Sequence, residues 1–223
     1  MKVTINDDVK KIGVKLIGVE ITDIENSKYS DTYRKEHTDR IERVLHDIEK
    51  GVHNDILDGY WQLHQKISIP KRNNIPASEN LIKLLHKNGD LFSINLAVDI
   101  YNLISTETAI ALGAHDIDKI TGNIRLDFIR GNEKFVPIGQ VEPKSLRSEE
   151  YAYVDDADDV ICKLEVRQAE KTKVTDQTKN IFYIVQGNEV TSHEELLDTA
   201  NKIIDETTKY CGGHGKIIFD SEA

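Results

Sequence analysis

The sequence predicts an α+β fold, with antiparallel hairpins and helices gathered to one side. Three observations carry this expectation. The local patterns run strand, then helices, then mostly strands, then helix and strand, rather than alternating one by one. Apolar residues recur at three and four in the first half and in short Val/Ile-rich runs in the second. Finally, 223 residues are enough to bury a full core without disulfides or metals.

Each element has a local justification. Ile12–Ile24 (IGVKLIGVEITDI) is rich in Val and Ile and reads as a buried strand. In Asp31–Lys50, Ile41, Val44, Leu45 and Ile48 repeat at helical spacing; Ser30 or Asp31 can cap this helix and Gly51 ends it. Asn54–Ile67 carries a second stripe (Ile56, Leu57, Tyr60, Trp61, Leu63), with Trp61 expected to pack it on the main body. Pro70–Pro76 reads as a linker. Ser78 can cap the short helix that stops at Gly89.

A helix from Ser93 follows, with Asn95, Asp99 and Asn102 on one face at i, i+4 and i+7. A polar face on an otherwise apolar helix is either the floor of a pocket or a buried structural network. Ala111–Asp116 reads as a small-residue turn leading into a strand at Gly122–Phe128, with Lys134–Ile138 as its hairpin partner. Strands are expected at Tyr151–Val154, Val160–Val166 and Ile181–Val185. Ser192 and Glu195 form a capping box that opens a helix to about Tyr210, and Lys216–Asp220 is a final strand.

Composition narrows the function classes. A net charge of −10 argues against a generic nucleic-acid binder, so any nucleic acid must meet a local basic patch. Cys162 and Cys211 form no CxxC, and no His pair forms HExxH, so neither a metal nor a cofactor is expected. No run approaches the ~18 apolar residues of a membrane span, which leads to the expectation of a cytoplasmic protein with no membrane partner. The tail CGGHG follows a helix rather than preceding one, which suits a C-cap better than a phosphate loop.

Two stretches carry candidate chemistry. His115 stands beside Asp116 and Asp118, where it either faces a ligand or covers a turn that the two aspartates cap. The run from Lys163 to Lys179 sets Lys163, Arg167, Lys171, Lys173 and Lys179 against Glu165, Glu170 and Asp176. It is either a phosphate contact or a solvated charged face. There is no GxSxG.

Four ordered motifs, PASENLIKLL, INLAVDIYN, GAHDIDKITGNIRLDF and EVRQAEKTKVTDQTKN, resemble the B3/B4 domain of the phenylalanyl-tRNA synthetase β subunit. They resemble its free-standing bacterial and archaeal relatives more closely. The likeness runs from about Ile75 to Tyr210. It implies layered β-sheets with flanking helices, and hydrolytic editing of tyrosine wrongly attached to tRNA by a positioned water, with no metal. Asn95, Val98, Asp99 and Asn102 match the family's helix motif. Asp116, Asp118 and Lys119 match its Asp-x-Asp-Lys segment, and Thr175, Asp176 and Thr178 its Thr-acid-x-Thr segment. Gly113 stands where the synthetases carry a His, and Lys173 where they carry an acid. Arg167, Gln168 and Glu170 fit the pattern of the free-standing relatives.

On this basis residues 71–223 form a B3/B4-like domain and residues 1–70 a strand–helix extension packed on it, the two expected to make one structural unit. The expected activity is aminoacyl-tRNA editing (deacylation) or tRNA binding. His115 and Glu170 are the catalytic candidates, Asn95, Asp99 and Arg167 bind ligand, and Lys171 and Lys173 touch the acceptor end. The alternative is a non-catalytic module for a free amino acid or similar small ligand. A third reading has the charged helix Asp31–Lys50 dock a partner protein.

Overall fold

The computed structural model describes residues 1–26 and 31–223. The described elements are β1 (Val3–Ile5), α1 (Asp7–Lys11), β2 (Lys15–Thr22), α2 (Asp31–Glu49), α3 (Asn54–Lys66), α4 (Ala77–Asn88), α5 (Leu96–Thr108) and β3 (Ala111–Asp116). They continue with a 3₁₀ turn (Ile117–Lys119), β4 (Ile124–Phe128), β5 (Tyr151–Asp155), β6 (Val160–Lys163), β7 (Arg167–Gln168), β8 (Ile181–Gly187), α6 (His193–Cys211) and β9 (His214–Asp220). Two sheets result, in the orders β1-β4-β5-β6-β7 and β3-β8-β2-β9. All pairings are antiparallel except β1 with β4.

Strand periodicity explains the layering. Along β8, Ile181, Tyr183 and Val185 point to one face and share a core with Leu96, Ile100 and Ile104 of α5 and with α6. Phe182 and Ile184 point to the other face and share a core with Leu126, Tyr151, Tyr153 and Ile161 of the first sheet. The β3-β8-β2-β9 sheet is therefore covered on both sides, by helices and by the other sheet, which is why β8 reads as a continuous apolar run rather than an alternating one. The α+β expectation, with layered sheets and flanking helices, holds.

Several local expectations change. Ala111–Asp116 is not a turn but an edge strand, paired with β8 from Ala111↔Gln186 to Asp116↔Ile181. All six of its residues are buried; the small side chains of Ala111 and Ala114 and the absence of one at Gly113 reflect close layer packing rather than a reversal of the chain. The helix begins at Leu96, and Asn95 is its N-cap rather than a member of its face. Pro76, not Ser78, occupies the N-cap of α4; Ser78 is buried in the first turn. Lys134–Ile138 does not pair with β4. It makes only single bridges, Lys134 to Asp159 and Pro137 to Ala169, because β4 is already flanked by β1 and β5. β1 and α1 arise from an N-terminus that looks only polar in sequence. Of the expected caps, Ser30 lies outside the described residues, and Asp31 is the first residue of α2.

The anchor of α3 is Tyr60 rather than Trp61. Tyr60 is wholly buried; its hydroxyl donates to the Gln186 carbonyl at 2.6 Å and accepts from the Ala111 amide at 2.8 Å. It thus bridges β3 and β8 at a matched register position. Gly59 beside it permits the approach, since a Cβ there would lie 2.4 Å from the Asn188 Oδ1. Trp61 is half-buried, with the Lys71 ammonium 4.3 Å above its ring. The segment 1–70 also contributes β2, which lies between β8 and β9, so no boundary between cores falls at residue 70.

Candidate functional site

The two sheets part near the β3 edge, and a recess opens there. Its walls are Ala77 of α4, Leu112 and Gly113 of β3 and Leu164 after β6, and Glu165 and Gln186 stand in its floor. The recess itself is narrow, about 40 Å³. It adjoins an outer cavity of about 370 Å³ that shares Ala77, Leu112, Val166, Arg167 and Gln168 with it and adds Tyr101 and Asn102 of α5. Narrow apolar depth with a few polar groups around the mouth is the usual form of a small-ligand site.

A buried polar cluster underlies the recess. The Glu165 carboxylate takes an ion-pair contact from the His64 imidazole of α3 and a short hydrogen bond from the Tyr151 hydroxyl of β5. Gln186 donates to Tyr151 Oη at 3.0 Å and to Glu165 Oε2 at 3.1 Å, and accepts from the Tyr153 hydroxyl at 2.7 Å. Burial pushes the Glu165 carboxyl up, but the His64 charge and the hydrogen bonds from His64 and Tyr151 outweigh it and hold the carboxyl below its ordinary value. The floor is therefore a buried anionic carboxylate and an amide that hold each other in place together with His64, Tyr151 and Tyr153. Sequence reasoning overlooks His64, Tyr151 and Gln186. Gln186 leaves one signal, a polar residue inside an otherwise apolar strand covered on both faces.

Arg167 is exposed at the mouth and lines both the recess and the outer cavity. No carboxylate pairs with its guanidinium among the described residues. Gln168 follows it in β7 and donates to the Tyr101 hydroxyl at 3.4 Å. Burial pushes the Tyr101 phenol up to about 12, so it stays protonated and acts as a hydrogen-bonding group.

The other candidates are scattered. His115 is fully buried between the sheets, with Nδ1 2.9 Å from the Thr172 hydroxyl and Nε2 without a partner. Burial lowers its pKa to about 3, so the ring is neutral at physiological pH. Thr172 is also fully buried, which denies this hydroxyl–imidazole pair access to solvent. Asp116 accepts from the Asp118 amide at 3.0 Å and the Thr178 hydroxyl at 2.8 Å, the cap that its sequence position suggests. Glu170 lies outside the recess, accepts from the Gly139 amide at 2.9 Å and pairs with Lys173. Lys171 is held between Asp155 at 2.8 Å and Asp159 at 2.7 Å.

Asn95 and Asp99 are hydrogen-bonded at the start of α5. Asn95 Oδ1 accepts from the Val98 amide at 3.1 Å and from Asn26 Nδ2 at 3.0 Å. Asp99 accepts from Ser93 Oγ at 2.7 Å and the Ile94 amide at 2.8 Å, and faces a separate cavity with Tyr33 and His37. Of the three polar positions on this helix, Asn102 alone lines the outer cavity. Cys162 lines the recess, but its thiol donates to the Leu164 carbonyl at 3.4 Å and burial pushes its pKa up, away from nucleophilic use.

The fold has a counterpart among solved structures. An N-terminal fragment of the phenylalanyl-tRNA synthetase β-subunit from Pyrococcus horikoshii is similar with a TM-score of 0.53 and 16% identity, over 96% of this chain and 50% of that one. The chain thus spans about half the length of that fragment, and the likeness is one of fold. A search of curated proteins finds no match. No described helix is long and apolar enough to cross a membrane. The family model of the B3/4 domain matches residues 65–205, a span that holds α4, α5, both edges of the recess and the strand carrying Gln186, and on that extent of agreement the chain belongs to the B3/4 domain family.

Proposed function

We propose that this protein receives the aminoacylated 3′ end of a tRNA in the recess and outer cavity and hydrolyses the aminoacyl ester. The observation that carries this reading is an apolar recess with a polar floor, with Arg167, Gln168 and Asn102 around its mouth, in a chain of the B3/4 family. The synthetase origin of the structural neighbour supports the choice of substrate. In this reading the amino-acid side chain enters between Leu112, Gly113 and Leu164. Glu165 and Gln186 read any donor at its tip, and the ester remains at the mouth. Water adds to the ester carbonyl, the bond to the ribose oxygen breaks, one proton of the water passes to that oxygen and the other to solvent, and the amino acid leaves as its carboxylate. Gln168 and Asn102 each offer a donor and an acceptor to place the water. Arg167 faces the negative charge that develops on the carbonyl oxygen.

A second reading has support of its own. Glu165 is the one carboxylate lining the described cavities of this site, and it is already engaged by His64 and Tyr151. A site so poor in accessible bases suits binding of a free amino acid without chemistry.

Incubation with a panel of mischarged tRNAs separates the two. The editing reading expects deacylation of one or a few members and its loss in Gly113→Val, whose branched side chain fills the recess. Gly113→Ala should fold and keep activity, because an added Cβ meets its nearest neighbours, Gln168 and His115, at 3.5 and 3.6 Å, ordinary contact distances. No deacylation, together with thermal stabilisation by one free amino acid, about 2.7 kcal/mol at a hundred times its Kd, selects the binding module. Neither response removes both readings.

A further inference from the structure

A third cavity adjoins the mouth on the other side of Arg167, and its chemistry differs from that of the recess. It measures about 530 Å³, and its polar lining is Asn73, Gln140, Lys144, Ser145, Lys163 and Arg167. No carboxylate lines it among the described residues, in a chain whose net charge is −10. Glu142 lies in the same loop but outside the lining, and Glu150, also outside it, pairs at 2.8 Å with the lining residue Lys163, whose charge is thereby shared. Lys144 and Arg167 have no carboxylate partner among the described residues. The neighbouring cations that sequence reasoning favours are compensated, Lys171 by Asp155 and Asp159 and Lys173 by Glu170.

The loop that presents Lys144 is held in place. The Lys144 amide donates to the Phe135 carbonyl at 2.8 Å, and the Ile138 amide donates to the Gln168 carbonyl at 3.0 Å. This ties the loop to the short strand that carries Arg167. Two uncompensated cations and one shared cation, with two amides and a hydroxyl around a single cavity, make a donor set matched to phosphate oxygens.

We infer that this cavity binds a phosphodiester of a single-stranded RNA end. The inference rests on the reading in which the acylated terminus occupies the recess. Arg167 lines both cavities, so the ester and a backbone phosphate lie on either side of one guanidinium. The RNA path then runs along the 135–145 loop and draws on Lys144 rather than on the compensated Lys171 and Lys173.

The test uses uncharged RNA, a hairpin with a single-stranded 3′ tail, in fluorescence-anisotropy titrations of the full chain at several salt concentrations. Each phosphate contact contributes about 0.7 to the slope of log K against log salt for a single strand. Lys144→Ala should weaken binding and flatten the slope by about that amount, and Lys144→Glu should weaken it further. Lys144 is exposed, so both variants should keep the wild-type melting temperature, which is measured alongside. Lys173→Ala should change neither affinity nor slope.

Three results overturn the inference: no binding of the RNA by the wild type, a slope indifferent to Lys144, or a slope sensitive to Lys173 and not to Lys144. Binding of a nucleoside monophosphate but not of the RNA also overturns it, in favour of a free phosphorylated ligand. Because the RNA carries no ester, absence of deacylation would count against the catalytic reading without altering this measurement. An indifferent slope would leave an observed deacylation standing.

Discussion

His115 shows how burial redirects a side chain whose sequence context invites a catalytic role. Its neutral ring is sealed between the sheets, and its pKa falls from the ordinary 6.5 to about 3 because burial penalises the charged form. Between those two values the unfolded chain binds a proton that the folded chain refuses. Stability is therefore full above about pH 6.5 and is lost as pH falls toward 3, by about 2 kcal/mol at pH 5 from this one group. Urea unfolding at pH 7 and pH 5 checks this. His115→Gln should show a smaller loss over that interval than the wild type, and an equal loss would assign the acid sensitivity to other groups. Glu165 acts at lower pH: its depressed carboxyl contributes stability above its unfolded value, and that contribution fades as pH falls through its folded one. The two windows overlap below the ordinary carboxylate value of 4.5, so it is the loss above that value that reports on His115 without Glu165.

Among the elements, α3 and β3 matter most for the recess. They meet through Tyr60, whose hydroxyl stands between the Ala111 amide and the Gln186 carbonyl. Tyr60→Phe preserves the ring and its packing but leaves a buried donor and a buried acceptor unmet, at a cost of about 1–3 kcal/mol. A denaturant midpoint lowered with unchanged slope is the expected result. Since Gln186 also stands in the floor of the recess, ligand affinity should fall with stability; an unchanged midpoint would mean that water replaces the hydroxyl. His64, on the same helix, reaches Glu165, so α3 supports the floor although it contributes no wall. The cap of α5 works similarly: Asn95 and Asn26 fasten the helix start to the chain near Val174 and Thr175, which places Tyr101 and Asn102 over the mouth.

For the whole molecule, the interleaving of early and late strands decides what can be removed. β2 pairs along its length with β8 on one side and β9 on the other. Deleting residues 1–70 removes this inner strand together with Tyr60 and His64, and exposes the edges of β8 and β9. Residues 71–223 alone should therefore fail to fold cooperatively, read as loss of a thermal transition and of near-ultraviolet dichroism. A soluble fragment with a sharp transition would establish that 1–70 is a separable extension. The charge of the molecule sets a second limit. At −10, an RNA partner is repelled by most of the surface, and attraction has to be local.

Periodicity, caps and composition are nearest-neighbour properties, so the linear chain displays them openly. The stripe in α3, the Ser192–Glu195 capping box, the apolar run of β8 and the α+β order of elements are legible there, as is the Arg167–Gln168 pair at the mouth. Three-dimensional convergence is not displayed in this way. Ala111–Asp116 resembles a turn because its residues are small, and only layers pressing from both sides account for that smallness. Lys171 and Lys173 look like free cations until Asp155, Asp159 and Glu170 are brought beside them. Glu165 lies inside a charged run, and its buried role depends on His64 from a helix about a hundred positions earlier. Local patterning thus settled the class of fold, and the resemblance of four ordered motifs pointed to the family. Tertiary packing decided which polar groups share a cavity, because desolvation and charge compensation depend on neighbours in space rather than along the chain.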